Sequence, residues 1–348
     1  MNILVTGNLG YIGTVLTDVL KRKEYVVVGY DIGYYEGFEP KGFRSPDRQI
    51  TKDIRDISVR DLQGIDAVVH LAALSNDPLG DFRPELTEAI NFDGTIAAAR
   101  CAREAGVKRF VYSSSQSMYG IAQTDDELDE DNSEKKPLTA YALTKWKAEC
   151  KLRELNSSDF VISCFRPSTV FGASPKLRCD IVFNNFVACA YTTGRIEVKS
   201  DGSPWRPVVH VLDVCQAYLA GIKAPAQLVS NQSFNVGIPN GNFTVRELAE
   251  AAQKVVPGSE LRFLGEHTDS RTYRVSFKKI LTVLRDYYKP EWDLERGGLD
   301  LVRFCRDIGF TESDFRGRRS NRLLQLKHLI SINRIGEQLR MKGVVNPV

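Results

Sequence analysis

Two side chains near the middle of the chain have the spacing and the chemistry to handle a proton. Tyr141 and Lys145 lie four residues apart in the segment LTAYALTKWKAECKLREL, which is predicted to be a helix, so they share one helix face. A tyrosine with its ordinary pKa near ~10 is a poor base at neutral pH, and a lysine cation beside it stabilises the phenolate. A Tyr-x-x-x-Lys pattern occurs by chance about once in a chain with this many tyrosines, so its meaning depends on the elements around it.

The predicted strand before this helix ends in three serines. The apolar run Phe110-Val111-Tyr112 is followed by Ser113, Ser114 and Ser115. Ligands bind at the carboxyl ends of parallel strands in open α/β sheets, so these hydroxyls are candidates for contact with a ligand. The alternative is that they satisfy exposed backbone groups at the strand end.

The first thirteen residues, MNILVTGNLGYIG, predict a strand, a tight turn and the start of a helix. Gly7 can turn the chain sharply, Gly10 lets a diphosphate approach the backbone, and Gly13 lets the helix pack closely on the strand. The phosphates would then lie at the positive end of the helix. This pattern predicts a dinucleotide-binding site.

Asp31 ends the second predicted strand, eighteen residues after Gly13. A carboxylate at this distance hydrogen-bonds both hydroxyls of the adenosine ribose and repels a 2′-phosphate. The next arginine along the chain is Arg44. The sequence therefore predicts NAD rather than NADP.

The Gly-x-x-Gly-x-x-Gly spacing in this setting resembles the short-chain dehydrogenase/reductase superfamily, in particular its extended branch of nucleotide-sugar epimerases and dehydratases. The resemblance covers residues 1 to 310. It implies a doubly wound parallel Rossmann sheet with a smaller C-terminal α/β substrate lobe. It also implies that Ser115, Tyr141 and Lys145 are catalytic, with Lys145 and the positive nicotinamide lowering the pKa of the phenol. Ser115 is selected because the family's reactive hydroxyl stands five residues before a Tyr-Gly glycine, here Gly120.

The resemblance further implies which residues contact NAD. Asp53 and Ile54 match a pair that contacts adenine, although an ordinary polar strand end is the alternative. Asn91 matches an asparagine near the cofactor, and its alternative is a structural role as a buried polar group that needs a partner. The predicted cofactor-binding residues are Gly7, Gly10, Tyr11, Ile12, Gly13, Asp31, Asp53, Ile54, Leu71, Ala72, Ala73, Asn91, Tyr141, Lys145 and Pro167.

A nucleotide-diphosphate sugar is the substrate that the resemblance implies. Thr169 stands where the family has an asparagine, and Arg206 has the planar guanidinium that suits phosphate oxygens. Two alternatives stay open, since Asn184 or Asn185 matches a substrate-binding asparagine and Arg271 or Arg274 matches a nucleotide-binding arginine. The predicted substrate-binding residues are Ser75, Ser115, Tyr141, Thr169, Asn185, Arg206 and Arg271.

Gln116 and Ser117 separate the activities within the family. The sugar 4,6-dehydratases have an Asp-Glu pair at these positions, and neither Gln nor Ser exchanges a proton at neutral pH. The pattern therefore favours an NAD-dependent 4-epimerase that acts through transient oxidation to a 4-keto sugar, over a 4,6-dehydratase. The alternatives are an NAD-dependent 4-dehydrogenase or reductase with net redox, and a cofactor-sensing protein without activity.

Composition limits the other possibilities. The net charge of +3 predicts neither nucleic-acid binding nor attraction to membranes, and no apolar run reaches the ~20 residues of a membrane span. The chain starts directly with a strand, so we expect no signal peptide and a cytoplasmic protein. The seven cysteines are expected to be reduced, and the four histidines are too widely spaced to predict a metal site.

Three regions are predicted along the chain. Residues 1–172, with 205–240 returning to them, form the NAD-binding domain; residues 173–310 form the substrate lobe; and residues 311–348 form a basic amphipathic tail. Such a helix lies on a membrane, on an acidic partner, on its own protein or on a second subunit. The resemblance implies a homodimer through helices at 84–105 and 141–155.

Overall fold

The computed structural model describes residues 1–121, 126–265 and 272–342. Its strands are β1 (Asn2–Thr6), β2 (Val26–Asp31), β3 (Arg48–Thr51), β4 (Ala67–His70), β5 (Arg109–Ser113), β6 (Val161–Pro167), β7 (Thr169–Phe171), β8 (Arg195–Val198), β9 (Trp205–His210), β10 (Gln232–Val236), β11 (Asn242–Thr244) and β12 (Glu260–Phe263). Its α-helices are α1 (Tyr11–Arg22), α2 (Asp77–Gly80), α3 (Pro84–Thr87), α4 (Gly94–Glu104), α5 (Ala140–Leu155), α6 (Val182–Thr193), α7 (Val211–Lys223), α8 (Ala226–Val229), α9 (Val245–Val255), α10 (Lys278–Val283), α11 (Leu294–Asp307), α12 (Glu312–Arg316) and α13 (Arg322–Ser331).

Seven parallel strands form the main sheet, in the order β10-β6-β5-β4-β1-β2-β3. The central strands are continuous apolar runs because helices cover both of their faces. Ile3 and Val5 of β1 point into one core cluster, and Leu4 points into the other. The predicted doubly wound parallel sheet is confirmed.

The strand order places the binding cleft. The chain runs from β1 outward to β2 and β3, and then returns to β4 on the other side of β1. Ligands in open α/β sheets bind at such a switch point, beyond the carboxyl ends of the strands. The glycine-rich turn follows β1, and the small residues Ala72 and Ala73 follow β4.

A smaller lobe covers this edge of the sheet. It contains a three-stranded sheet, β11-β9-β7, and a two-stranded sheet, β12-β8, packed with α6, α9 and α11. Of the returning segment, β10 joins the main sheet beside β6, whereas β9 pairs with β7 and β11 instead. The segment therefore serves both lobes.

The last helix packs on the Rossmann domain. Leu326 and Leu329 of α13 are buried in the core cluster that also contains Leu4 and Tyr30. Leu339, farther along, is buried in the same cluster. Among the four alternatives for the basic tail, residues 322–342 therefore show packing on their own chain. No helix in the three ranges is both long enough and apolar enough to cross a membrane.

Candidate active site

A cleft of about 770 Å³ lies between the carboxyl ends of the main-sheet strands and the smaller lobe. We call the part that contains Ser115, Tyr141 and Lys145 the Tyr141 end, and the part that contains Asp31 and Asp53 the Asp31 end. The predicted site residues on its wall are Gly7, Gly10, Tyr11, Ile12, Gly13, Asp31, Asp53, Ile54, Leu71, Ala72, Ala73, Ser75, Ser115, Tyr141, Lys145, Pro167, Thr169, Asn185 and Arg206.

The glycine-rich turn has the close contacts that its sequence predicts. Gly7 has a φ of +72°, and a Cβ on it would lie 2.8 Å from the backbone nitrogen of Ala72. A Cβ on Gly13 would lie 2.1 Å from the carbonyl oxygen of Gly7, so the helix and the turn can approach this closely only without a side chain. Gly10 is the N-cap of α1 and gives it no side-chain hydrogen bond.

The Asp31 end holds two carboxylates in different settings. Asp31 accepts hydrogen bonds from the backbone nitrogens of Leu9 at 3.1 Å and Gly33 at 2.7 Å, while burial raises its pKa. Asp53 is paired with the Arg55 guanidinium, with Nε to Oδ1 at 2.9 Å and Nη2 to Oδ2 at 2.5 Å. The Asp53 carboxylate is thus largely engaged by its own chain, although the residue stays on the cleft wall beside Ile54.

The three serines point in different directions. Ser113 exchanges a hydrogen bond with the Tyr218 hydroxyl at 2.7 Å, and Ser114 donates to Glu149 Oε2 at 2.7 Å. Ser115 Oγ instead lies 2.9 Å from Ser117 Oγ, and the Ser115 side chain lowers the pKa of Tyr141. Ser113 and Ser114 therefore satisfy groups in the core, and Ser115 is the serine whose side chain acts on Tyr141.

Burial controls the ionisation of Tyr141 and Lys145. Lys145 is buried, donates from Nζ to the carbonyl oxygen of Ser113 at 2.6 Å, and burial lowers its pKa to about 7. Burial raises the pKa of Tyr141 to about 12, against a lowering by the hydrogen bond with Ser115. We predicted that Lys145 lowers the pKa of Tyr141. In the protein alone, desolvation of the phenolate outweighs any such lowering, so this pKa stays above its ordinary value.

Gln116 and Ser117 lie beside the Tyr141 end, and neither side chain can donate or accept a proton as an acid or base at neutral pH. Gln116 is buried and donates from Nε2 to the carbonyl oxygen of Arg166 at 3.0 Å. Its Oε1 is buried and has no hydrogen-bond partner in the described ranges. Ser117 Oγ shares a hydrogen bond with Ser115 Oγ. Both residues line the cleft.

Asn91 differs from its predicted role. It is absent from the cleft wall, and its Oδ1 accepts a hydrogen bond from the backbone nitrogen of Leu74 at 2.8 Å while its Nδ2 donates to the Leu74 carbonyl at 3.1 Å. It lies in a π-helical turn, Glu88–Asp93, between α3 and α4. The structural alternative fits this geometry, because Asn91 fixes the turn after β4 instead of facing the cofactor.

The open alternatives among the substrate residues are separated by burial. Asn184 is fully buried and bonds Gly172, Tyr11 and Arg178, whereas Asn185 lies on the cleft wall. Arg206 lines the cleft and donates from Nη1 to the Trp205 carbonyl at 2.8 Å.

Arg274 and His210 lie apart from the residues that line the described cleft wall. Arg274 stacks on the Trp205 ring at 5.4 Å and is not on the described wall, and Arg271 lies outside the described residues. His210 is the N-cap of α7, with Nδ1 accepting from the Leu212 nitrogen at 3.3 Å, so the structure gives it a capping role.

Several buried groups on the wall were not predicted. Arg178 is ion-paired with Asp180, with Nε to Oδ1 at 2.8 Å, and donates from Nη1 to Ser75 Oγ at 3.2 Å. Tyr35 and Arg322 also line the cleft. Their sequence neighbourhoods contain no motif, and only the fold brings residues from the loop after β2, the segment after β7 and α13 together.

The family model for the NAD dependent epimerase/dehydratase family matches residues 3–237. The chain belongs to this family. It is therefore an NAD-dependent enzyme of the extended short-chain dehydrogenase type, in a family of nucleotide-sugar epimerases and dehydratases.

Similar proteins carry out more than one reaction. A dTDP-D-glucose 4,6-dehydratase of Mus musculus is 28% identical over 228 residues, which cover 62% of this chain and 63% of that protein. A UDP-glucose 4-epimerase of Bacillus subtilis is 25% identical over 353 residues, covering 88% and 95%. The structure of a dTDP-glucose 4,6-dehydratase from Streptomyces venezuelae, solved with NAD bound, is 26% identical with a TM-score of 0.75, covering 90% and 99%.

The cleft fits the NAD of this family. The N-terminal turn of α1 contains no acidic residue, and no side chain caps it, so its backbone N–H groups suit an anion. A Cβ on Gly10 would meet only the Gly7 carbonyl oxygen within 4 Å, so the other side of this residue is open to a ligand. The turn would hold the diphosphate, and Asp31 stands where it can accept hydrogen bonds from ribose hydroxyls.

Proposed function

We propose that this enzyme is a nucleotide-sugar 4-epimerase that oxidises C4 transiently and returns the hydride to the opposite face. The observation that carries the proposal is the pair Gln116 and Ser117 beside Ser115, Tyr141 and Lys145. The cleft has the groups for removing a proton from an alcohol, and it lacks an acid-base pair at the positions that dehydratases use.

Tyr141 accepts the proton of the sugar 4-hydroxyl in this mechanism. Ser115, which lies on the cleft wall with Tyr141, donates to the reacting oxygen and fixes its distance from the phenol. Lys145 is held by the Ser113 carbonyl with Nζ 6.0 Å from the centre of the Tyr141 ring, so its protonated form places a positive charge close to Tyr141. Bound NAD, held by the glycine-rich turn and Asp31, would supply the hydride acceptor for C4 and a positive charge that opposes the effect of burial on the Tyr141 pKa.

The second half of the reaction reverses these roles. The 4-keto sugar turns in the cleft, and Tyr141 returns the proton to the oxygen as the hydride returns to the other face of C4. Because the keto sugar is consumed before release, no net oxidation occurs. The NAD-dependent dehydrogenase alternative differs only in that the keto product leaves.

The substrate is held along the wall formed by the smaller lobe. We propose that Arg206 binds the sugar nucleotide's diphosphate and that Asn185 and Thr169 contact the nucleotide and the sugar. Ser75 lines the same cleft, and we propose that it also contacts the substrate. Arg271 stays a predicted nucleotide ligand outside the described residues.

The proposed assembly and location follow from the family and from the surface. We propose a cytoplasmic homodimer that pairs through the outer faces of the 84–105 and 141–155 helices, where Leu143 of α5 is 40% exposed. Light scattering of the purified chain tests this, and a Leu143→Glu variant is expected to shift the mass from dimer to monomer. A wild-type protein that is monomeric at all concentrations would contradict the proposal.

A panel of nucleotide sugars tests the proposed activity. The full chain is incubated separately with UDP-glucose, UDP-glucuronate and dTDP-glucose, and the products are separated by chromatography and weighed by mass spectrometry. We expect one sugar to convert to its C4 epimer with unchanged mass and no accumulated NADH. A product that has lost water identifies a dehydratase, and a keto product with stoichiometric NADH identifies a dehydrogenase; either result contradicts the proposal.

A further inference from the structure

Arg322 is a buried cation with an unsatisfied donor on the wall of the cleft. It is the first residue of α13, is 1% exposed, and lines the cleft close to Tyr35. Its Nη2 donates to the carbonyl oxygen of Lys176 at 2.5 Å, but its Nη1 has no hydrogen-bond partner. Within residues 1–121, 126–265 and 272–342 no carboxylate is ion-paired with it. A buried guanidinium in this condition is costly unless an anion completes it.

The groups around Arg322 add positive charge. The Arg178 guanidinium is close enough to repel it, and burial together with Arg178 lowers the pKa of Arg322 to about 10. Asp180 is already paired with Arg178, and Asp31 already accepts two backbone hydrogen bonds. The carboxylates nearby therefore have other partners, and this part of the wall is short of anionic acceptors.

Tyr35 adds a second unsatisfied group at the same place. Its ring lies 4.5 Å from Cζ of Arg322, and its hydroxyl is buried without a hydrogen-bond partner in the described ranges. Lys176 links Tyr35 to Arg322, because its Nζ donates to the Tyr35 carbonyl at 3.0 Å and its own carbonyl accepts from Arg322 Nη2. A ligand with several acceptor oxygens would satisfy both the Tyr35 hydroxyl and Arg322 Nη1.

The position of these groups along the cleft identifies the anion. Arg322 packs on Tyr35 in the loop after β2 and donates to Lys176 in the segment after β7. The same segment reaches Ser75 after β4 through Arg178, and it reaches the first residue of α1 through the hydrogen bond from Ser174 Oγ to the Tyr11 carbonyl. Arg322 therefore stands among residues that follow β2 and β4, near the start of α1. In a dinucleotide that lies along the cleft with its adenosine at Asp31, the diphosphate occupies this stretch.

We propose that Arg322 and Arg178 bind the diphosphate of NAD from the side opposite the glycine-rich turn, and that the segment 322–342 is a clamp that retains the cofactor. The proposal rests on the NAD dependence of the family and not on the identity of the sugar. It adds a cofactor ligand from the last part of the chain, outside the 3–237 match to the family model.

The clamp is fastened to the loops that surround the Asp31 end. Gln325 donates from Nε2 to the Tyr34 carbonyl at 3.1 Å, and the Tyr34 hydroxyl donates to the Leu339 carbonyl. Arg55, the partner of Asp53, donates from Nη2 to the Gln338 carbonyl at 2.9 Å. These contacts hold Arg322 at the cleft wall. NAD would therefore be released only when the hydrogen bonds of the clamp to these loops break.

An Arg322→Met variant of the full chain tests the proposal through nucleotide binding. Hydrogen bonds to charged groups contribute enough that we expect the Kd of NAD, measured by calorimetry on nucleotide-stripped protein, to rise ~10–100-fold. The Kd of NADP should rise by the same factor, and the Kd of UDP for the NAD-loaded protein should stay unchanged. Lys327→Met, which removes a positive charge from an exposed position of the same helix, is the matched control and should change none of these values.

Each other outcome contradicts a specific part of the proposal. A loss confined to NADP would assign Arg322 to a 2′-phosphate, and a loss confined to UDP would assign it to the substrate. If Arg322→Met does not fold, Arg322→Lys keeps the charge without the planar fork and should weaken NAD by a smaller factor. Hydrogen exchange on the unmodified chain gives an independent result, because NAD should slow exchange in 322–342; unchanged exchange there would overturn the clamp.

Discussion

At the Tyr141 end of the cleft, the groups come from one strand and the helix after it; at the Asp31 end, they come from both ends of the chain. Ser115, Tyr141 and Lys145 lie within about thirty residues of each other, and their spacing is visible in the sequence. Arg322 and Tyr35 meet only because α13 packs on the loop after β2. The difference suggests that the chemistry of this protein is local and that its hold on the cofactor is distributed over the fold.

The largest expected effect separates the two ends. Tyr141→Phe removes the proposed proton acceptor and should lower kcat by ~10²–10⁴-fold, because proton transfer by a positioned side chain contributes that much. NAD retention after dialysis, measured by mass spectrometry, should not change. Tyr191→Phe on α6, outside the cleft wall, is the control. Full activity in the Tyr141 variant would show that Tyr141 is not the proton acceptor.

The next effect tests whether the tail is part of the Rossmann core. Leu326→Ala removes a fully buried side chain and should lower the free energy of unfolding by ~2–5 kcal/mol. Leu324→Ala, two residues earlier on the same helix and 42% exposed, should change it by less than about 0.5 kcal/mol. Denaturant melts of both variants give the comparison. Equal effects would mean that α13 does not pack as described.

Two glycines of the same turn should fail in different ways. Gly13→Ala forces a Cβ to within 2.1 Å of the Gly7 oxygen and should destabilise the nucleotide-free protein by about 1–3 kcal/mol. Gly10→Ala meets that oxygen at 3.1 Å, so the fold should tolerate it while NAD binding weakens. Thermal melts with and without NAD distinguish the two. A Gly10 variant that binds NAD normally would show that the diphosphate does not approach this residue.

The last effect is confined to acid pH and concerns His70, the last residue of β4. It is bonded to Thr6 and Thr95, and burial lowers its pKa to about 3. Between this value and the unfolded pKa near ~6.5, the unfolded chain binds more protons, so stability falls as the pH falls, by about 1.4 kcal/mol per unit. Above this window His70 gives no pH dependence.

The change His70→Gln tests that assignment. Gln can still hydrogen-bond the two threonines but does not take up a proton. The slope of unfolding free energy against pH should therefore become shallower in the acid range, although His210, which is also buried neutral, continues to contribute. An unchanged slope would show that His70 does not carry this proton.

Sequence reasoning was effective where one segment contains the whole signal. The glycine spacing predicted the turn between β1 and α1, and the family resemblance carried by that spacing implied the doubly wound parallel sheet. Ser115 was chosen by resemblance, and the effect of its side chain on the Tyr141 pKa supplies a reason that the sequence does not contain.

The remaining features depend on contacts between distant segments. The resemblance implied a cofactor contact for Asn91, yet a π-helical turn directs its side chain to Leu74. The pKa of Tyr141 depends on how much of the fold covers it. Arg322 carried no motif, and a basic helix at the end of a chain fits several partners equally well until its buried face is known.

Transient oxidation at C4 is tested most directly by following the hydrogen on that carbon. A nucleotide sugar that the enzyme accepts is prepared with deuterium at C4 and incubated with the full chain and its bound NAD. We predict that the C4 epimer forms with the deuterium still on C4 and with unchanged mass. Deuterium found at C6 of a product that has lost water, or in released NADH, would contradict epimerisation.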